Sequence, residues 1–235
     1  MQLLTTLQHR PYVFAFLVAF LAIGILNRGL TRTLLLLVIG YTIAFLSEFS
    51  SIRNGFPYGL YHYVYENLRG ELLLGGVPVW DSLSYAFIAY ASLETAAFFR
   101  LRHPILVAAI LMTLLDVIID PLAVRGNRWF LGRIFFYPEP GLYFGVPLTN
   151  FFGWFLVALA IFSLYRLAEI RFNLPPPPLR APWLGAAFYA SIALFNLAIT
   201  FWIGEWVLGA VGAGVGLALL VIARINRKNV DRLFN

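Results

Sequence analysis

Asp116 and Asp120 lie four residues apart in a strongly apolar stretch, a spacing that puts both on one face of a helix. Carboxylates inside an apolar span are costly, so they face the interior of a bundle and mark function. Glu48, Asp81 and Glu205 stand at the same edge of three other apolar runs. Glu66, Glu71 and Glu139 fall in the connections on that side, which leaves only Glu94, Glu169 and Asp231 of the eleven acids elsewhere. Carboxyls crowded away from water retain protons, and a protonated carboxyl is a general acid. Asp116 is predicted one turn inside its span and is the expected proton donor. Plain structural roles stay open for the others. Glu48 and Glu205 fit interfacial caps, and Asp81 fits a helix cap or first-turn acid. Asp120 fits a partner for Arg125 or Arg128, and Glu94 one for Arg100 or Arg102.

The missing residue types narrow the chemistry. His9, His62 and His103 form no HxxxH or HxxHH cluster, so a di-iron site for oxygen insertion has no ligands. His62, between Tyr61 and Tyr63, reads as a structural hydrogen-bonder. The single lysine, Lys228, is in the C-terminal tail, so no retinal-type Schiff base forms in the last helix. The absence of cysteine removes disulfides, thiolate-ligated haem and a cysteine nucleophile. There is no Walker loop and no dinucleotide glycine fingerprint. What remains is acid–base chemistry with no metal and no cofactor, or binding without chemistry.

Composition sets the elements that must hold these residues. Hydrophobic residues make up 61% of 235 and charged residues 12%, against about 25% charged in a soluble domain; mean hydropathy is +0.81. Apolar runs of roughly 17–25 residues span a bilayer as helices. Seven are predicted, over 11–27, 30–47, 79–99, 104–120, 147–167, 183–203 and 206–223, with Pro121 ending the fourth. The fold class is all-α, a polytopic bundle of about seven transmembrane helices forming one integral membrane domain over 1–235. No removable signal peptide is expected.

The net charge of +6 invites a nucleic-acid reading, but the arginines sit at helix ends, so no nucleic-acid partner is expected. Arg10, Arg53, Arg69, Arg125, Arg128 and Arg133 fall on the N-terminal side, and the other eleven basic residues on the opposite side. This bias places the N-terminus outside and the C-terminus in the cytoplasm. Two long outer connections, about 49–78 and 121–146, are rich in Tyr, Phe, Gly and Pro rather than Ser, Lys and Glu. They should fold back onto the bundle as ordered, functional loops. Prolines 175–178 predict a stiff cytoplasmic spacer. Gly209, Gly212, Gly214 and Gly216 suit close packing of the last helix. No repeat and no pair of broken helices supports a secondary transporter.

Two stretches resemble a known family. They carry Glu48, the run GFPYGLY at 55–61, Gly76-Val77-Pro78, Asp116 with Asp120-Pro121, and Tyr143-Phe144-Gly145-Val146-Pro147 followed by Asn150 and Gly153-Trp154. This ordered set, covering something under half the chain, resembles the carotenoid hydratases of bacteria and archaea, among them the γ-carotene/lycopene 1′-hydratase and the bisanhydrobacterioruberin hydratase. The resemblance implies addition of water across a terminal C=C of a linear carotenoid. An acid protonates the less substituted carbon, and water attacks the resulting tertiary cation. For that reaction Asp116 and Asp120 are the expected proton-transfer pair. Glu48 would activate water or tune the pair, Asp81 is a further candidate, and Asn150 would fix water or a carboxyl. Tyr58, Tyr61, Trp80, Tyr143 and Trp154 are candidates for an aromatic wall around the cation, or for an interfacial belt. The implied partners are a carotenoid, the lipid bilayer and other enzymes of carotenoid synthesis. Two rivals stay open: a lycopene-type cyclase, which shares the protonation, and a non-catalytic carotenoid or lipid binder or transporter.

Overall fold

The structure, a computed structural model, describes residues 1–100 and 102–233; the side chains of residue 223 and of residues from 226 onward lie outside the description, and with them Arg227, Lys228 and Arg232 of the charge bias. Among the described residues there are eight α-helices: α1 (Gln2–His9), α2 (Pro11–Arg28), α3 (Leu30–Asn54), α4 (Val79–Phe98), α5 (Pro104–Val124), α6 (Leu148–Arg171), α7 (Trp183–Trp202) and α8 (Trp206–Leu233). The protein is an all-α membrane bundle. Helices α2, α3, α5, α6 and α7 are long and apolar enough to cross a bilayer. Prolines set the helix starts, with Pro11 and Pro104 in first turns and Pro78 and Pro147 just before α4 and α6, where a missing N–H costs nothing.

Several boundaries differ from those predicted, among them the ends of α6 and α8, which run on to Arg171 and Leu233. Helix α3 continues two turns past the apolar run, to a left-handed Gly55, because its polar extension buries Glu48 and Ser51 against the bundle. Pro121 does not end α5; the helix runs one more turn to Val124 with Pro121 inside it. The ring removes one backbone bond close to the helix end, and the Arg125 guanidinium donates to the Pro121 carbonyl at 2.9 Å. The segment α1, unforeseen, precedes α2 and is tied down where Thr6 Oγ1 accepts from the Leu72 N–H at 2.8 Å.

Helix α4 is the hub, packed between α2, α3, α5 and α7, while α6 rests on α3 and α5 and α8 lies outside on α5 and α7. Close approach of α3 to α4 rests on Gly40, where a Cβ would stand 3.0 Å from the Ala86 Cα. In α8 only part of the glycine stripe serves packing. A Cβ at Gly212 would meet Leu197 at 2.8 Å, whereas those at Gly214 and Gly216 would meet nothing. At the end opposite the long loops, Arg28 pairs with Glu94, and Arg32 pairs with Glu169 at 2.7 Å. Glu94 thus takes Arg28 of α2 as its partner, because it lies on the buried face of α4.

The two long connections, 55–78 and 125–147, close over the other end. Strand β1 (His62–Tyr63) of the first pairs antiparallel with β4 (Phe135–Phe136) of the second, His62 opposite Phe136 and Tyr63 opposite Phe135. Strands β2 (Leu73–Leu74) and β3 (Val77–Pro78) form a hairpin around Gly75 and Gly76, both at positive φ. Alternation along β1 turns Tyr61 and Tyr63 inward and leaves His62 exposed against Phe136.

Candidate active site

Helix α5 presents Asp116 and Asp120 one turn apart, toward α6. Asn150, in the first turn of α6 after Pro147, donates from Nδ2 to Asp116 Oδ2 at 2.7 Å. Asp116 is fully buried, and its other oxygen has no donor partner. The Asp120 carboxyl is its neighbour one turn along the same face of α5. Asp120 and Tyr137 of the second long loop share a cavity wall.

Glu48 and Asp81 face this pair from α3 and α4. Glu48 is buried and accepts from Ser82 Oγ. Asp81, in the first turn of α4, accepts from the Tyr63 hydroxyl at 2.9 Å. Between the carboxyls lies a cavity of about 120 Å³. Pockets that enclose a whole drug-sized ligand are roughly 300–1,000 Å³, so this one suits the end of a longer molecule. Among the described residues no lysine or arginine lines it.

Its walls are aromatic. Trp154 stacks on Tyr85 with ring centroids 4.3 Å apart and planes 8° apart. Tyr58 leans on both rings, and its hydroxyl bonds Ser47 Oγ at 2.9 Å. Tyr61 meets Tyr63, Phe135 and Tyr137 edge-on. Trp80 commits its indole N–H to Glu71 at 2.6 Å, and the Arg10 guanidinium covers its ring at 4.7 Å. Arg10 and Glu71 form a buried ion pair at 2.8 Å, and Arg10 also donates to the Leu131 carbonyl. This roof holds both outer loops to the start of α2. Burial, reinforced by the nearby carboxylates, pushes the phenols of Tyr58, Tyr61, Tyr63 and Tyr137 well above their ordinary value of 10.0, so each remains a hydrogen-bond donor.

Eight of the ten residues singled out in the sequence line this cavity: Glu48, Asp81, Asp120, Tyr58, Tyr61, Trp80, Asn150 and Trp154. Asp116 does not reach the wall; it lies behind it, joined through Asn150 and Asp120. Tyr143 lies elsewhere, edge-on to Phe144 and Phe151. The salt bridges expected of Asp120 go instead to Glu205, which pairs with Arg125 at 3.1 Å and with Arg128. Tyr63, Ser82, Tyr85 and Tyr137 were missed. Tyr85 follows Asp81 by four residues, a helical spacing that signals it; Ser82, one residue on, does not share that face and joins the site through Glu48 of α3. Tyr63 and Tyr137 meet the carboxyls only through the β1–β4 pairing, which has no local sequence signature.

An acid pair next to an apolar, aromatic cavity with further carboxylates opposite can protonate an alkene, hold the cation against π-faces and orient a water. No curated protein and no solved structure matches the chain. The sequence model of a family described as carotenoid biosynthesis protein matches residues 10–222, and the chain belongs to that family.

Proposed function

We propose that the protein is a carotenoid hydratase acting on a terminal C=C of a linear carotenoid. The observation that carries this is the Asp116–Asp120 pair meeting an aromatic cavity that also holds Glu48 and Asp81. Asp120, on the cavity wall, gives its proton to the less substituted alkene carbon while the C=C pair forms the new C–H bond. Asp116, with Asn150, supports the carboxylate left behind. The tertiary cation lies against Trp154, Tyr85 and Tyr58. Glu48 or Asp81 orients a water, whose oxygen bonds the cation and whose proton returns to a carboxylate. The acid is regenerated and one water is added. Polar lining from three carboxyl groups and Asn150 favours water over an internal double bond as the group that quenches the cation. The same reading takes α4 and the apolar part of α8 as spans beside the five long apolar helices. That makes seven, with the N-terminus outside and the C-terminus cytoplasmic.

The test is expression in cells that accumulate lycopene, with the protein shown to be in the membrane, and liquid chromatography with mass spectrometry of the pigments. A product heavier by one water, its oxygen taken from H₂¹⁸O and not from O₂, is the expected result. Unchanged mass with altered absorption identifies a cyclase instead. No new pigment removes lycopene as the substrate.

A further inference from the structure

The cavity is too small for a polyene, so the rest of the substrate must leave it, and the lining shows where. On the side away from Asp116, the wall is made by Tyr12, Val13 and Phe16 of α2 and by Ile192, Phe195 and Asn196 of α7. Contact between α2 and α7 is slight beside that of α4 with α7 or α5 with α6. Elsewhere in the bundle the elements approach backbone to backbone: Gly40 against Ala86 between α3 and α4, and Gly153 with a would-be Cβ 2.6 Å from the Pro57 carbonyl. Between α2 and α7 the closure is made of rings. Phe195 stacks on Tyr12 with centroids 5.5 Å apart and meets Phe16 edge-on at 5.5 Å. Phe130, 56% exposed, caps Tyr12 from the surface at 5.5 Å. No hydrogen bond or ion pair links α2 to α7 here among the described residues, so the apolar rings of Phe16 and Phe195 can turn aside without breaking a polar contact.

We propose that the gap between α2 and α7 is the lateral portal, with Phe195, Tyr12 and Phe16 as its gate. A linear, conjugated, apolar chain passes end-first from the lipid between these rings, and its remaining length stays between α2 and α7 and in the bilayer. One end reacts per binding event. Chains whose end is a bulky ring pass poorly until the gate is widened. This rests on the carotenoid reading of the cavity, so the test has a readout independent of hydration.

Three variants are made in the full chain, produced in lycopene-accumulating cells and purified in detergent: Phe195→Trp, Phe195→Ala and, as a control at the same depth on the lipid-facing side of α7, Leu194→Trp. Pigment retained per protein is measured by absorbance, and product by mass spectrometry. Elution as a single peak from size exclusion checks folding. The expected result is at least a fivefold drop in retained pigment for Phe195→Trp, no change for Leu194→Trp, and retention at or above the parent level for Phe195→Ala. Equal losses in Phe195→Trp and Phe195→Ala make Phe195 a packing residue and overturn the portal, as does undiminished retention in Phe195→Trp or absence of pigment from the parent protein. Pigment that follows this pattern without any hydrated product upholds the portal and sinks the hydratase reading alone.

Discussion

Asp116 and Asp120 share a helix face but not a setting: one is sealed behind Asn150, the other opens on the cavity. If Asp120 delivers the proton, Asp120→Asn lowers turnover by about 10²–10⁴, the usual worth of a general acid. Asp116→Asn has a smaller effect, because the reacting group stays in place. Both variants should retain pigment, and initial rates of product formation in membranes give the comparison. The tyrosines make a prediction with a definite sign. Tyr58, Tyr61, Tyr63 and Tyr137 ionise well above 10.0 when folded. Above that value the unfolded chain loses phenolic protons that the folded chain keeps, so stability falls as pH rises. The contribution of these four phenols to the melting temperature in detergent is expected to be flat below about pH 10 and to drop above it, with their tyrosinate absorbance appearing only with unfolding. At this scale the carboxyls were legible in the sequence, because a charge within an apolar run needs a reason. Their hydroxyl partners were not, since Tyr63 and Tyr137 look like any aromatic residue of an interfacial belt until the two loops are paired.

Among the elements, the two long loops close the site against α2 and α6, and two substitutions probe how. Gly153→Ala places a Cβ 2.6 Å from the Pro57 carbonyl and 2.7 Å from the Tyr58 ring. Overpacking of this kind costs about 1–3 kcal/mol, and the displaced Tyr58 should also reduce pigment retention, measured alongside the melting temperature. Arg10→Ala leaves Glu71 buried with its guanidinium partner gone; loss of one member of such a pair costs about 3–5 kcal/mol, to be read from thermal unfolding in detergent. Helix starts were readable from Pro11, Pro78, Pro104 and Pro147. The ends of α3, α5, α6 and α8 were not. The polar turn after Ser47 stays helical because Glu48 and Ser51 gain buried partners, a tertiary effect that overrides local propensity. Pro121 sits in the last turn of α5, where its ring removes a single backbone bond.

For the molecule as a whole, the all-α membrane bundle followed from composition and run length alone. The hub role of α4 did not. Its apolarity is diluted by Asp81 and Glu94, so its centrality shows only in the packing. Orientation rests on the arginine bias, and reporter fusions test it: a C-terminal reporter should be active in the cytoplasm and one fused before α2 outside. The β1–β4 pairing has a consequence for biogenesis. Glu48, Asp81, Asp116 and Asp120 all precede residue 135, while Phe135, Tyr137 and Asn150 follow them. A nascent chain emerging from the ribosome therefore possesses every carboxyl of the cavity before it has the strand that roofs them or the amide that holds Asp116. During that interval Glu48 and Asp81 already have Ser82 and Tyr63 as donors, whereas Asp116 waits for Asn150, so the arrival of α6 completes the partners of the acid pair.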